Sequence, residues 1–216
     1  MHIRLATVAD IDNLVRTIVS AEKSGTDRFG LATLFGLSEP DATRLIARML
    51  NEEVEGCEFS ISSFRVAEID GRFAGAVGGW VEGRPDDLPS GLLKSNLIGA
   101  VFPEEAMFAL RRNAEVLDGL RLERKMGALQ IEYVFVDPGF RGHGVAQRLI
   151  TSHLQDTNRS GPAPDIAQVQ AFADNDAAIR LYEKLGFRTT RTSTATHQDT
   201  RRFLPFDQKV LMERAL

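Results

Sequence analysis

The chain has 216 residues, 43% of them hydrophobic and 26% charged, a balance that suits a globular protein with its own core. Its net charge of -4 gives no electrostatic reason to expect nucleic acid as a partner, and its single cysteine, Cys57, excludes an intramolecular disulfide. Charges at Arg4, Asp10, Asp12 and Arg16 interrupt any signal-like start, and no apolar run approaches the ~20 residues that cross a bilayer, so a soluble cytoplasmic protein with no membrane partner is expected.

Residues 2–6 alternate and read as an edge strand. Thr7 precedes a helix with Ile11, Leu14, Val15, Ile18 and Val19 on one face. Ser38 and Asp41 mark the start of a second helix, whose Ala42, Leu45, Ile46, Met49 and Leu50 form one stripe. Residues 63–69 and 72–81 flank Asp70-Gly71, a two-residue hairpin signal. The stretch 82–128 opens on Gly83, Pro85 and Pro89 and is less regular. One helix is predicted there from near Pro103, carrying Met107, Leu110, Ala114 and Leu117. Residues 129–136 predict a strand stopped by Asp137-Pro138, followed by a helix from near Gly142 past Leu149, Ile150 and Leu154. Another strand is predicted over 166–172. A helix from Asp174 or Asn175 repeats Ala178, Ile179, Tyr182 and Leu185 and ends at Gly186. Residues 187–192 and 207–213 read as closing strands. The sum is an α/β domain over 1–216 with a helical insertion at about 82–128.

The segment from Val134 to Ala146 carries the clearest chemistry. A strand enters a tight glycine-bearing turn and then a helix, leaving backbone N–H groups free at the positive end of the helix dipole. That is an anion site suited to a pyrophosphate. Gly142 and Gly144 allow close approach of the backbone, and Arg141 adds a fixed positive charge. After Gly142 and Gly144, Gln147 stands where a dinucleotide loop has its third glycine, and the Walker pattern is absent. No His/Cys/carboxylate cluster has metal-ligand spacing, so no metal is expected.

Arg141-Gly142-His143-Gly144-Val145-Ala146 resembles the Arg/Gln-x-x-Gly-x-Gly/Ala loop of the GNAT superfamily of N-acetyltransferases. Val136-Asp137-Pro138 is similar to the Val-x-Pro that precedes that loop, and Asn175 to Phe187 resembles the family's Asn-x-x-Ala-x-x-x-Tyr-x-x-x-Gly-Phe helix. The resemblance covers roughly residues 129–190. It implies a mixed, mostly antiparallel sheet splayed at its middle, helices on both faces, and acetyl-CoA as co-substrate in the gap. The backbone around Val134, Phe135 and Val136 would then bind the pantetheine arm and acetyl carbonyl like an added strand. Amides of 141–146, including His143 and Val145, would take the pyrophosphate. Asn175 would contact the arm, and Tyr182 would lie near the sulfur and protonate it.

The implied activity is transfer of acetyl to a primary amine of a small molecule or protein. Glu132 is the candidate general base, since period-two alternation places it on the side of Val134 and Val136. A structural carboxylate is the alternative. Some peptide-modifying relatives use a glutamate on the following strand, where this chain has Gln170. His143 and His197 are read as solvent-facing, and Cys57 as an inert apolar filler. Trp80 is read as core rather than pocket lining, and Arg188, Arg191, Arg201 and Arg202 as a solvated surface. The insertion either carries acceptor specificity or makes a homodimer contact. A non-catalytic acyl-CoA-binding module and a transferase of longer acyl groups are the competing functions.

Overall fold

The computed structural model describes residues 1–84, 86–156 and 161–216, so the Pro85 turn signal lies outside the described residues. In chain order the elements are β1 (His2–Leu5), α1 (Ile11–Lys23), α2 (Gly30–Leu34), α3 (Glu39–Glu52), β2 (Phe64–Ile69), β3 (Arg72–Val81), α4 (Ser90–Val101) and α5 (Glu104–Asn113). There follow β4 (Leu129–Val136), α6 (Val145–Leu154), β5 (Ile166–Phe172), α7 (Asp176–Lys184), β6 (Arg188–Thr194), α8 (Thr200–Phe203) and β7 (Gln208–Ala215).

Local chemistry explains most of these boundaries. Ser38 caps α3 by accepting the Asp41 N–H at 3.2 Å. Asp70 and Gly71, at φ 51° and 72°, give the β2–β3 hairpin the turn whose twist suits its strands. Helix α6 starts at Val145, three residues later than expected, because Gly142 and Gly144 are left-handed at φ 80° and 70° and cannot continue a helix. Within 82–128 lies a helix that the pattern missed. Helix α4 is apolar on most sides (Leu92, Leu93, Leu97, Ile98, Val101), so no polar face marks its period. The threonine-rich loop likewise holds the short α8.

The seven strands form one sheet in the order β1-β2-β3-β4-β5-β7-β6, antiparallel except where β4 meets β5. One core lies on the α1 and α3 side, around Leu14, Ile18, Ile46, Met49, Phe59 and Phe64. A second lies on the α6 and α7 side, around Leu129, Ile131, Leu149, Ile150, Phe187 and Met212. Burying each such side chain stabilises the fold by about 2 kcal/mol. Helix α6 lies flush on β3: a Cβ on Gly79 would fall 2.6 Å from the His153 ring, so only glycine fits there.

Two features of β4 shape the functional region. Its parallel pairing with β5 stops after three positions, Leu129↔Ala167, Gln130↔Gln168 and Ile131↔Val169, although both strands continue. The closed end is held by a buried amide pair, with Gln130 Nε2 donating to Gln168 Oε1 at 2.9 Å. Gln168 Oε1 also accepts the Lys125 N–H at 2.9 Å. Just past that clamp β4 bulges. Three steps from Glu132 to Phe135 oppose only two from Ala76 to Gly78, and Tyr133 takes φ 52°, a costly conformation for a bulky residue.

The bulge corrects the alternation inferred for Glu132. Val134 and Val136 pack with the α6 and α7 core, whereas Tyr133 joins the α1 and α3 core. Glu132 shares the side of Tyr133, because its Arg124 partner also pairs with Glu58, which accepts the Tyr133 hydroxyl. The extra residue thus turns Glu132 away from Val134 and Val136.

Candidate functional site

Where β4 and β5 part, a cleft of about 920 Å³ runs between the two faces of the sheet. Its walls include Val134, Phe135, Val136, Arg141, Ala146, Asn175 and Tyr182, so seven of the residues singled out in the sequence meet there along with Glu132. The Asp137 N–H donates to Ala74 O on β3 at 3.0 Å, and strand alternation therefore turns the Val136 and Val134 N–H groups toward the gap. These are strand donors without a neighbouring strand.

At one mouth of the cleft, α6 begins at Gly144 with no side-chain cap. The first N–H to find a helical acceptor is that of Arg148, on Gly144 O, so the amides of Val145, Ala146 and Gln147 are without a partner among the described residues. A Cβ on Gly142 or Gly144 would meet nothing within 4 Å, so conformation rather than crowding requires glycine at both. Arg141 makes no ion pair among the described residues and its guanidinium is exposed beside these amides. His143 is exposed, its Nδ1 against Arg141 O at 2.9 Å. The loop is braced by Asp137, which accepts the Gly139 N–H at 3.0 Å and pairs with Arg16 at 2.9 Å. Arg16 in turn lies over the Phe73 and Phe135 rings.

Asn175 is first a helix cap. Its Oδ1 accepts the Ala178 N–H at 3.2 Å, and its Nδ2 donates to Ser24 Oγ at 2.7 Å, tying α7 to the left-handed end of α1. The Tyr182 ring is buried against Phe187, but its hydroxyl has no hydrogen-bond partner among the described residues and opens on the cleft. Burial, and secondarily the charge of Glu132, push that hydroxyl above the ordinary tyrosine value, so it stays protonated.

On the α1 side the cleft floor is a charged network that the sequence did not announce. Arg124 donates to Glu132 Oε1 through Nη2 at 2.5 Å and Nε at 3.2 Å, and lies 2.8 Å from Glu58 Oε2. Lys94 of α4 donates to Glu58 Oε1 at 2.5 Å, and Arg124 Nη1 donates to Ser90 Oγ at 2.9 Å. Trp80 does not line the cleft; it supports Arg124 from below, with its own N–H on Glu82. Burial pushes the Glu132 carboxyl up, and Arg124 only partly offsets this, so it titrates above the ordinary glutamate value.

Glu58, only 1% exposed, behaves oppositely: burial pushes it up, yet Lys94 and Arg124 outweigh burial and hold it at about 2. A carboxyl depressed in this way contributes stability above its ordinary value of 4.5, and that stability is lost as pH falls from 4.5 toward 2. Glu58→Gln is therefore expected to cost about 3 kcal/mol at neutral pH, by stranding buried cations. It should also flatten the acid limb of stability. Urea unfolding across pH checks both, and an unchanged acid limb would contradict the pairing.

Of the other candidates, only Gln170 reaches the cleft among the described residues. Arg201 pairs with Asp174 and Asp207, Arg202 with Asp199, and His197 accepts the Asp199 N–H. Cys57 is fully buried, its thiol pushed up to about 11 by burial. Gln170 lines the cleft and donates to Leu122 O. Among the described residues no group of three or more metal-ligating side chains assembles, and no helix is long and apolar enough to cross a membrane.

Comparison with known proteins bears on this architecture. Residues 103–189 match the acetyltransferase (GNAT) domain family. An uncharacterised N-acetyltransferase of Methanocaldococcus jannaschii is 33% identical over 63 residues, which are 29% of this chain and 27% of that protein. The match therefore spans about a quarter of that relative. An N-acetyltransferase structure from Staphylococcus aureus Mu50 superposes with a TM-score of 0.68 at 17% identity, covering 99% of this chain and 100% of the other. The yncA structure from Salmonella typhimurium, solved with its cofactor acetyl-CoA, gives 0.56 at 16% identity over 100% and 94% of the two chains. Residues 103–189 thus carry the acetyltransferase (GNAT) domain match, and the chain shares the fold of these acetyltransferase structures along its length.

Proposed function

We propose that the chain is an acetyl-CoA-dependent N-acetyltransferase acting on a primary amine. The observation that carries the proposal is the parting of β4 from β5 beside the uncapped start of α6. The residues present fit the co-substrate: the free amides of Val145 and Ala146, with Arg141, suit a pyrophosphate, and the free Val134 and Val136 N–H groups suit an amide-bearing arm. Bound there, acetyl-CoA supplies a thioester whose C–S bond breaks as the acceptor's N–C bond forms, releasing a thiol.

The chain's own groups then have separable duties. The β4 amides orient the acyl carbonyl and favour negative charge on its oxygen. The unpartnered Tyr182 hydroxyl, on the α7 side of the gap, donates toward the departing sulfur. Glu132, turned to the α1 side by the bulge, takes the proton of an amine entering from that side. Burial raises its carboxyl above the ordinary glutamate value, the direction that makes it a stronger proton acceptor. Thiol release from acetyl-CoA with a panel of amines tests the activity. No thiol release with any amine, together with no calorimetric binding of acetyl-CoA, would sink it.

Glu132→Gln tests the base. Wild-type kcat/KM should rise with pH as Glu132 loses its proton. The variant should be about 100-fold slower where Glu132 is ionised and the amine still protonated, and the gap should close at lower pH, where Glu132 is protonated, and where the amine is already neutral. Arg124 keeps Glu58 as a partner in this variant, so the fold survives. Parallel profiles would remove Glu132 from the role.

A further inference from the structure

We propose that Glu22 and Lys209 form the acceptor-recognising pair, and that the acceptor is a small amine bearing a carboxylate, an amino acid or a longer aminocarboxylate. The inference rests on the transferase reading and narrows its substrate class.

Nine charged side chains line the cleft; Arg16 and Lys23 pair with Asp137 and Glu39, and Arg141 stands beside the start of α6, which leaves an inner set of Glu22, Glu58, Glu132, Lys94, Arg124 and Lys209. Four of them are consumed by one another, since Lys94 and Arg124 neutralise Glu58 and Glu132. The other two are not. Among the described residues Glu22 and Lys209 make no hydrogen bond or ion pair, with each other or with a third group. Lys209 Nζ lies over the Phe172 ring, 5.1 Å from its centroid, and feels Glu22 through charge alone. Glu22 Oε2 lies near Gly30, whose added Cβ would come within 3.7 Å of it. The two belong to α1 and β7 and both line the cleft; they feel each other's charge without a hydrogen bond between them, so a ligand in the cleft can engage both.

Leaving two half-buried charges of opposite sign unpaired is costly, and a bound counter-charge is what relieves it. Burial acts on both in the expected directions, raising the carboxyl of Glu22 and lowering the amine of Lys209. The sign pattern then selects the ligand. In the inner set three carboxylates face three cations, so this part of the cleft is neutral. A polyamine would carry surplus positive charge past Lys94, Arg124 and Lys209, and a dicarboxylate would meet the converse. A molecule with one amine and one carboxylate matches the two open charges and leaves the network intact. Glu22 accepts an N–H of the amine and orients it, Lys209 donates to the carboxylate, and proton removal stays with Glu132.

The test compares α- and ω-amino acids with their carboxamides and with diamines of equal length, by thiol release from acetyl-CoA. The aminocarboxylates are expected to exceed their amides about 10- to 100-fold in kcat/KM, the worth of a hydrogen bond to a charged group. Lys209→Met should erase that ratio by raising KM for the acid, Lys209→Arg should restore most of it, and Lys209→Glu should favour diamines. Calorimetry with acetyl-CoA on each variant reports that the site is still folded. Equal rates with acids and amides, or a ratio unmoved by Lys209→Met, overturn the inference while leaving the transferase standing. A wild-type protein that fails to bind acetyl-CoA overturns both.

Discussion

A Tyr182→Phe variant is expected to bind acetyl-CoA with unchanged affinity and to turn over about 100-fold or more slowly, the loss typical of a positioned proton donor. The hydroxyl makes no bond to the protein among the described residues, so its removal strands no partner and leaves the ring packed on Phe187. Stability should move little for the same reason. Burial and Glu132 keep the hydroxyl protonated beyond its ordinary value of 10.0. The alkaline side of the wild-type rate profile should therefore show no limb from Tyr182 up to about that pH. Stopped-flow thiol detection with calorimetry separates the two parameters. Equal kcat in the two proteins at every pH would leave the tyrosine as packing alone.

Gly144→Asp should abolish measurable acetyl-CoA binding, raising Kd by about 100-fold or more. A carboxylate at that position does two things at once. It caps the free amides of α6, satisfying the donors a phosphate would use, and it places negative charge where the phosphates would sit. The fold should survive, because aspartate tolerates a left-handed φ of 70° better than most residues and its Cβ would meet nothing within 4 Å. Thermal unfolding near the wild-type temperature with silent calorimetry is the expected combination. Wild-type affinity in the variant would remove α6 from the binding site.

The difference between what was legible in the sequence and what was not follows the range of the interactions. Loop 141–146 and helix α7 are local devices, with glycines, a cap and a periodic stripe inside a dozen residues, so their pattern is written contiguously. The Arg124 network joins positions 58, 94, 124 and 132 from four segments, and only the folded chain brings them together. Hints existed nonetheless. Lys94 is the one charge in twelve residues of α4, and Glu58 sits between buried Cys57 and Phe59. Each is a charge that burial penalises unless a partner is supplied. The orientation of Glu132 was misread for a different reason. Period-two alternation presumes an unbroken ladder, and Tyr133 gives no glycine or asparagine to announce that the ladder breaks. Helix α4 was missed because uniform hydrophobicity erases the period by which a helix is seen.

Tyr133 is one residue more than its strand needs, and that surplus sets Glu132 and Tyr133 side by side over the same charged floor. Deleting Tyr133 or Val134 would restore even spacing and keep Glu132 opposite Gly78 on the α1 side, while the single residue left between it and Phe135 would turn to the α6 side. At this point in the molecule, chemistry is written in counting rather than in composition.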